Sequence, residues 1–330
     1  MVMNEQNPVD DMREIVCTEI RENYGIDGVL SRLPGENLNY LVSANDGQCV
    51  IAKIAGSDMP SDVVEMEFAA LEHAGKAQMG LDLPNIIKNL DGRIETRINV
   101  HVNIHNWDDK RLILLHYVSG INLSEISDIS DNLRFDLGKS LARFDQAVAD
   151  FDHPAAHRKH RWDLADAGQH HGKLELIDDL QRRELLAWAF AQFTAKISPV
   201  LATLPWQFIH GDGNPENIRI TAGRVSGLLD FGDSCYNPAV CELAICLAYQ
   251  MMDVPDPMAT AEQVIGGYES VRPLSAAERA VLLPLACTRL AVSICVAAQR
   301  RTIDANNSNW FVTEAPAWRL LEWLRANITR

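Results

Sequence analysis

The stretch FIHGDGNPENIRITAGRVSGLLDFGDSCYNPAVCELA, residues 208–244, carries most of the information about fold and chemistry in this chain of 330 residues. An apolar, strand-like run leads into His210-Gly211-Asp212, and Asn217 follows five residues after the aspartate. A predicted hairpin with Gly223 at its turn then leads into Asp230-Phe231-Gly232-Asp233. Carboxylate and carboxamide oxygens at the ends of short strands suit Mg²⁺. The alternative is that these Asn, Asp and Gly residues only form turns, where they are common.

A lysine in the N-terminal part of the chain favours the catalytic interpretation. Residues 49–55, CVIAKIA, place Lys53 alone among apolar side chains, and such a lysine costs free energy to bury unless it is paired. The following predicted helix carries Glu67, and it also carries Glu65 on a different helical face. A strand lysine, a helix glutamate and an Asp–Asn–Asp set together match the logic of a kinase-type phosphoryl-transfer site.

The order of predicted elements divides the chain near residue 118. Residues 1–118 combine short β-type runs with one main helix, and Asn45-Asp46-Gly47 between two of these runs is a hairpin signal. Helical periodicity then dominates residues 119–330, over 132–150, 174–203, 238–252, 275–301 and 314–328. We therefore predict an α+β protein with a strand-rich N-terminal lobe, 1–118, and a larger, mostly helical C-terminal lobe, 119–330.

Composition and charge exclude several classes of protein. The chain has 30 Lys and Arg residues against 45 Asp and Glu residues, a formal net charge of −15. This surplus repels phosphate backbones and anionic lipid surfaces, so we expect neither nucleic acid nor a membrane as a partner. The apolar stretch 280–298 is interrupted by Pro284 and Arg289, which indicates a buried helix.

The start of the chain and its cysteines both bear on the compartment in which the protein works. The start of the chain lacks a basic region followed by an apolar run, so it does not resemble a secretory signal. The seven cysteines include no C-x-x-C pair and read as buried apolar side chains. We therefore expect a cytoplasmic protein without disulfides or structural zinc.

Several motifs resemble those of a known enzyme family. HGDGNPENI at 210–218, LLDFGD at 228–233 and HRKHRWDL at 157–164 are similar to stretches of hydroxylysine kinases. That family lies within the aminoglycoside phosphotransferase and choline kinase branch of the kinase-like superfamily. The resemblance implies a bilobal, protein-kinase-like fold and a kinase that uses Mg²⁺ and either GTP or ATP. It further implies an amine-bearing small-molecule acceptor with a hydroxyl group, with hydroxylysine, a related hydroxy amino acid or an amino alcohol as first choice.

The resemblance also implies roles for individual residues. Asp212 matches the catalytic aspartate, which orients the acceptor hydroxyl and takes its proton late in the transfer. Asn217 and Asp230 match the Mg²⁺ ligands. Lys53 and Glu67 match the pair that binds the nucleotide phosphates, and the pattern EFAAL at 67–71 favours Glu67 over its neighbour two residues earlier.

The resemblance assigns residues to the nucleotide base but not to the loop that would contact the phosphates. The strand LLHYV at 114–118 matches the base-binding segment, with Leu115, His116 and Val118 as contributing residues. The phosphate loop departs from the kinase pattern, because the corresponding turn, residues 33–39, contains Gly35 alone instead of a G-x-G-x-x-G. The phosphate-loop contacts therefore stay unassigned.

Acceptor recognition is expected around the mouth of the segment 210–236. Asp233 and Tyr236 lie just beyond the Asp-Phe-Gly turn, where they would face the acceptor. An acidic side chain there suits an ammonium group. The alternative for Asp233 is an ordinary helix cap or turn residue.

Three further residues belong to the predicted acceptor side. Trp162 and Asp163 follow the basic run 157–161, which either lines an anion entry or forms a solvated loop. Arg289 interrupts an apolar helix, and a buried arginine needs a carboxylate partner. That partner is either internal, with Glu242 as one possibility, or the carboxylate of an amino-acid acceptor.

Two other functions are consistent with the same motifs. An aminoglycoside antibiotic phosphotransferase fits the acidic charge, because its acceptors are polycations. A catalytically silent nucleotide-binding module is the alternative from a different class. Its signature is the loss of Asp212, Asn217 or Asp230, and all three residues are present.

Overall fold

The computed structural model describes residues 8–33, 38–56, 59–103 and 106–328, without the side chains of 8–11, 100–103 and 106–108. The chain divides into two compact units. Unit 1 comprises the residues up to Glu72 together with Leu83–Val118. Unit 2 comprises His73–Asp82 and the residues from Ser119 onward. The segment His73–Asp82, which the sequence pattern places in the first lobe, thus groups with unit 2.

Unit 1 is built on an antiparallel sheet. Its strands are β1 (Gly28–Arg32), β2 (Leu38–Ala44), β3 (Cys49–Ala55), β4 (Ile86–Ile87), β5 (Thr96–Asn103) and β6 (Asn106–His116). The strand order is β1-β2-β3-β6-β4, and β5 also pairs with β6. The predicted hairpin between β2 and β3 is confirmed: Gly47 has φ +89°, and the Gln48 amide donates to the Asp46 carboxylate at 2.9 Å.

Two helices accompany this sheet, α1 (Pro8–Tyr24) and α2 (Ser61–Ala74). Along α1, Val16, Ile20 and Tyr24 recur at helical spacing and are buried in one apolar cluster with residues of β1, β2, β3, β5 and β6. The Tyr24 hydroxyl donates to the Leu112 carbonyl oxygen in β6 at 3.3 Å. The strand β3 is therefore held in the middle of the sheet, at the core of unit 1.

Unit 2 is mostly helical. Its helices are α3 (Asp131–Ala147), α4 (Leu180–Gln192), α5 (Val240–Gln250), α6 (Pro257–Glu269), α7 (Ala276–Arg301) and α8 (Glu314–Ile328). Its strands are β7 (Ile121–Asn122), β8 (Trp206–Ile209), β9 (Ile218–Thr221), β10 (Arg224–Leu228) and β11 (Cys235–Pro238). They form two small antiparallel sheets, β10-β9-β7 and β11-β8. The observed architecture is the predicted α+β arrangement of a strand-rich part and a helical part.

The helix α7 supplies much of the core of unit 2. It begins at a capping box in which Ser275 and Glu278 bond to each other's backbone amides. Among the described helices it alone has the length and apolar content of a membrane span, and 83% of its most apolar window is buried by the rest of the chain. Pro284 lies inside this helix, and the Thr288 hydroxyl bonds to the Pro284 carbonyl oxygen.

Two parts of unit 2 differ from the sequence prediction. The expected helix over 174–203 is interrupted, because a 3₁₀ segment, Leu164–Leu176, precedes α4 and a π turn, Phe193–Ile197, follows it. The helix α6 was not predicted. Its Gly266-Gly267 pair lowers helix propensity, but Gly267 permits a close approach to α3. A Cβ added at Gly267 would lie 1.9 Å from the Phe135 carbonyl oxygen.

Candidate functional site

In unit 1, Lys53 and Glu67 form the predicted ion pair. The Lys53 Nζ lies 3.7 Å from Glu67 Oε2, and the two side chains are 10% and 7% exposed. Lys53 stands in β3 opposite Asn39 of β2 and Ile113 of β6, so the pair belongs to the interior of the unit. Glu65 is exposed. Glu67 lies on the buried face of α2 and Glu65 on its exposed face, so Glu67 is the glutamate that pairs with Lys53.

The strand β6 ends in the segment predicted to bind the nucleotide base. Leu115 is flanked on both sides, by Ile51 of β3 and Ile86 of β4. The His116 amide donates to the Asn85 carbonyl oxygen at 2.9 Å. The side chain of Val118 is buried, so a contact of Val118 with the base stays a prediction about its backbone. The predicted phosphate turn, 33–39, has its central residues 34–37 outside the described residues.

In unit 2, His210 ties together the two loops that carry the predicted catalytic and metal-binding residues. The Asp212 amide donates to His210 Nδ1 at 3.2 Å, so the ring proton lies on Nε2. Nε2 donates to the Leu229 carbonyl oxygen at 2.8 Å. The ring of Phe231 packs edge-on against this imidazole, with centroids 4.8 Å apart. The end of β8 is therefore coupled directly to the turn after β10.

Gly211 is required by the backbone at this turn. It has φ +76°, and an added Cβ would lie 2.9 Å from the Asp233 carbonyl oxygen. Its amide donates to Glu242 Oε2 at 2.8 Å. Glu242 is completely buried at the start of α5, and burial raises the pKa of its carboxyl group. The glycine thus allows the loop before Asp212 to lie against both β11 and α5.

The carboxylate of Asp212 is held on both oxygens. Asn214 and Asn217 each donate from their side-chain amide to Oδ2, at 2.9 and 2.8 Å. Arg289 donates from Nη2 to Oδ1 at 3.1 Å. The Asp212 side chain remains 16% exposed. This is a carboxylate in one defined orientation that can still contact a ligand.

The two predicted Mg²⁺ ligands lie at the same end of the β9–β10 hairpin. The Leu229 amide donates to the Asn217 carbonyl oxygen at 2.8 Å, which brings the residue before Asp230 beside Asn217. The Asn217 side-chain nitrogen makes both of its hydrogen bonds to Asp212. Its carboxamide oxygen is then the atom that remains for a ligand, and with the exposed carboxylate of Asp230 it offers the oxygen donors that Mg²⁺ prefers.

Other metal arrangements are not found in the part of the chain that the structure describes. There, no group of three or more His, Cys, Asp or Glu side chains is placed to hold a metal ion. Asn217 and Asp230 therefore stay the predicted oxygen donors for a cation in unit 2. Asp230 itself has φ +55°, a conformation that aspartate tolerates better than most residues.

Arg158, which was not among the predicted site residues, stabilises the turn after Asp230. Arg158 donates to the carbonyl oxygen of Gly232 at 2.6 Å and to that of Ser234 at 2.8 Å. It belongs to the basic run 157–161, for which we expected either an anion entry or a solvated loop. The guanidinium of Arg158 binds the backbone carbonyls of the neighbouring turn, and both alternatives for the run as a whole stay predictions.

Asp233 lies in a strongly acidic environment. Loss of hydration and the charges of Asp212 and Asp230 raise the pKa of its carboxyl group to about 7, although 35% of the side chain is exposed. His160 Nδ1 lies 4.0 Å away. Burial and the charges of neighbouring arginines lower the pKa of His160 to about 3, so this imidazole is neutral. Asp233 is thus an accessible carboxyl group beside the predicted catalytic aspartate.

The partner of Arg289 is Asp212 and not Glu242, the internal partner that the sequence suggested. Nη2 also donates to the Tyr249 hydroxyl at 3.1 Å, and the rings of Trp162 and Tyr249 lie 4.6 and 5.6 Å from the guanidinium carbon. Within the described residues, Nε and Nη1 of this buried guanidinium have no hydrogen-bond partner. The structure therefore places Trp162 and Arg289 together with Asp212.

Asp163 and Tyr236 have other contacts. Asp163 caps the 3₁₀ segment that follows it, and its Oδ1 also accepts from the Asn237 side chain at 2.9 Å. The ring of Tyr236 packs against His157 and Trp206, with centroids 4.5 and 6.1 Å apart. The contacts of these two residues are thus with β11, the 3₁₀ segment and neighbouring rings.

Comparison with known proteins places the chain in a family. A sequence profile described as "Phosphotransferase enzyme family" matches residues 30–281. The chain belongs to this family. The predicted membership in the aminoglycoside phosphotransferase-type group is thereby confirmed.

Similar proteins include two kinases of amino acids. A hydroxylysine kinase of Mus musculus is 28% identical over 225 residues, which are 64% of this chain and 60% of that protein. The match thus spans about three fifths of the length of this relative. A homoserine kinase of Gluconobacter oxydans is 28% identical over 293 residues, which are 86% of this chain and 82% of that protein.

The fold is shared with solved kinases. The structure of amicoumacin kinase in complex with AMP-PNP and Ca²⁺ superimposes with a TM-score of 0.69 at 16% identity and covers 96% of each chain. The predicted kinase-like fold, with an antiparallel sheet in the first part and helices in the second, is confirmed. That related protein binds a nucleotide and a divalent metal.

Proposed function

We propose that this phosphotransferase transfers the γ-phosphoryl group of GTP or ATP to a hydroxyl group of a small, amine-bearing hydroxy amino acid or amino alcohol. The observation that carries the proposal is the orientation of Asp212. Its carboxylate is held by two asparagines and one arginine, and it is partly exposed beside Asn217 and Asp233. Such a carboxylate can orient a hydroxyl group and accept its proton.

The residues of each unit have separate tasks in this proposal. In unit 1, Lys53 binds the phosphates of the nucleotide and Glu67 orients the lysine. In unit 2, Asp212 orients the acceptor hydroxyl, and Asn217 and Asp230 hold Mg²⁺, which supplies positive charge for the phosphate oxygens. Positioning and charge neutralisation carry most of the catalysis, because phosphoryl transfer needs little covalent help from the protein.

Asp233 supports an acceptor with an amino group. Its carboxyl group is accessible and lies near two other carboxylates, so a cation placed there lowers the repulsion among the three. An ammonium group near a hydroxyl group meets this requirement. The names of the two relatives, hydroxylysine kinase and homoserine kinase, refer to acceptors of this kind.

An antibiotic kinase is the second candidate. The net charge of −15 attracts polycationic aminoglycosides, and the fold is shared with a solved spectinomycin phosphotransferase in complex with ADP and spectinomycin. A silent nucleotide-binding module has less support, because Asp212 and its complete set of hydrogen bonds are present. We also propose a cytoplasmic location, since all seven cysteines are free and five of them are buried.

The proposal is tested by a kinase screen with both nucleotides. Hydroxylysine, homoserine, amino alcohols and a panel of aminoglycosides serve as acceptors, and phosphorylated product is measured by mass spectrometry. We expect turnover with a hydroxy amino acid or an amino alcohol. Turnover with aminoglycosides alone would favour the second candidate, and hydrolysis without any acceptor effect would reject both.

The variant Asp212→Asn tests the catalytic assignment in the same assay. Asparagine keeps the size of the side chain but cannot take the proton, so we expect kcat to fall about 10²- to 10⁴-fold. The KM for the nucleotide should change little. Near-normal turnover of Asp212→Asn would remove Asp212 from the catalytic role.

A further inference from the structure

Arg289 is 77 residues from Asp212 in sequence, yet it contacts the carboxylate predicted to be catalytic. The arginine lies in the middle of α7 with only 2% of its surface exposed. Burying a guanidinium is expensive, and the cost is offset only by close pairing. The single carboxylate within hydrogen-bond distance among the described residues is that of Asp212. The ion pair with Asp212 therefore offsets the unfavourable burial of the Arg289 charge.

The guanidinium is itself held in place. Trp162 and Tyr249 lie against it as aromatic neighbours, 4.6 and 5.6 Å from its central carbon. Nη2 divides its two protons between the Tyr249 hydroxyl and Asp212 Oδ1, both at 3.1 Å. This arrangement fixes the direction from which Arg289 approaches the carboxylate.

The two oxygens of Asp212 are not equivalent. Each carboxylate oxygen has two lone-pair positions for hydrogen bonds. Oδ2 accepts from Asn214 and from Asn217, so both of its positions are in use. Oδ1 accepts from Arg289 and keeps one position. An acceptor hydroxyl can therefore donate its hydrogen bond to Oδ1.

We propose that Arg289 is a positioning residue for Asp212, and that Oδ1 of Asp212 is the atom that receives the proton of the acceptor hydroxyl. This inference rests on the proposed kinase function. In the step, the acceptor oxygen forms a bond to the γ-phosphorus while the bond from that phosphorus to the β,γ-bridging oxygen breaks. The bond electrons leave with the nucleoside diphosphate, and the hydroxyl proton moves to Oδ1.

A double-mutant cycle between Arg289 and Asp212 tests the proposal. Arg289→Gln removes the charge and the rigid fork, so we expect kcat to fall about 10²-fold, with little change in the KM for the nucleotide. In an Asp212→Asn background the same substitution should lower the residual kcat by less than about threefold, because the carboxylate that Arg289 positions is already absent. Tyr249→Phe should lower kcat less than Arg289→Gln does, since it removes only one of the contacts of Nη2.

Arg289→Lys serves as the conservative variant, and it should recover part of the kcat lost in Arg289→Gln. If Arg289→Gln does not fold, Arg289→Lys and Tyr249→Phe are each combined with Asp212→Asn in the same double-mutant cycle. The matched control is Arg272→Gln, which breaks another partly buried ion pair of unit 2, with Glu278 at 2.6 Å. It should lower the unfolding temperature and leave kcat unchanged.

The outcomes separate the inference from the function on which it rests. Absence of turnover in the wild-type enzyme with every acceptor counts against the proposed function. In an active enzyme, a loss from Arg289→Gln that is equally large with and without Asp212→Asn overturns the positioning role. If Arg272→Gln lowers kcat as much as Arg289→Gln does at an equal loss of unfolding temperature, the positioning role is overturned as well.

Discussion

At the scale of the residue, the most informative side chains are those whose charges are buried or crowded. Lys53 and Glu67 place opposite charges in the interior of unit 1, and Asp212 and Arg289 do the same in unit 2. In both pairs, substitution of one member removes an opposite charge that faces the other. The contribution of each pair can therefore be measured by single substitutions.

Glu67→Gln tests the pair of unit 1. Gln keeps the size and one hydrogen-bond acceptor but removes the negative charge that faces the buried Lys53, so we expect the free energy of unfolding to fall by about 3 kcal/mol. Glu65→Gln, on the exposed face of the same helix, is the control and should change it by less than about 0.5 kcal/mol. Urea unfolding of the two variants provides the measurement, and equal effects would contradict the buried pair.

Asp233 makes stability depend on pH. Its pKa is raised to about 7 from the ordinary aspartate value of 3.8. Between these two pH values the carboxyl group is protonated in the folded chain and ionised in the unfolded chain. The stabilising contribution of the protonated group is present below pH 4 and is lost as the pH rises towards 7. Asp233→Asn should therefore stabilise the protein more at pH 8 than at pH 5 in urea unfolding. The same gain at both values would show that this carboxyl group titrates normally.

At the scale of the element, close packing of α3 against α6 depends on glycine. A Cβ at Gly267 would lie 1.9 Å from the Phe135 carbonyl oxygen, and one at Gly138 would lie 1.9 Å from the Val264 carbonyl oxygen. Both contacts are with backbone, which cannot rotate away as a side chain does. The two helices can approach this closely only where no Cβ stands between them.

Adjacent glycines in α6 provide a matched pair of substitutions. Gly267→Ala should lower the free energy of unfolding by about 1–3 kcal/mol, because α3 and α6 must move apart. A Cβ at Gly266 meets the Phe135 ring at 3.8 Å, an ordinary contact. Gly266→Ala should therefore raise stability by up to about 1 kcal/mol through helix propensity. Opposite signs in thermal unfolding confirm the packing, and a loss of similar size at both positions contradicts it.

At the scale of the whole molecule, the net charge of −15 affects both substrates. An acidic field favours Mg²⁺ and an ammonium-bearing acceptor, and it opposes a free triphosphate. The nucleotide must therefore be attracted by local positive charge, which Lys53 and the bound metal supply in the proposed mechanism. This explains why the metal and the nucleotide are expected to bind together.

The complex of Mg²⁺ with GTP or ATP should stabilise the folded chain. A ligand at 100 times its dissociation constant raises the free energy of unfolding by about 2.7 kcal/mol. Thermal unfolding with the nucleotide and Mg²⁺ should show this shift, and the nucleotide with EDTA should show a much smaller one. The absence of a shift with either nucleotide at millimolar concentration would argue against nucleotide binding.

The sequence alone determined the features that arise from local chemistry. The β2–β3 hairpin follows from Asn45-Asp46-Gly47, and the turns that carry Asp212 and Asp230 follow from the glycines and strand patterns beside them. The ion pair of Lys53 and Glu67 also followed, because an isolated lysine in a strand requires a nearby partner and only fourteen residues separate the two.

Tertiary structure decided the features that depend on residues distant in sequence. The partner of Arg289 is Asp212, because folding brings the middle of α7 to the end of β8, and no local pattern encodes that contact. The raised pKa of Asp233 has partly the same origin, since burial and the charge of Asp212 on another loop contribute to it together with the neighbouring Asp230. Turn geometry and periodicity are properties of neighbouring residues, whereas charge pairing and desolvation depend on which distant surfaces the fold brings together.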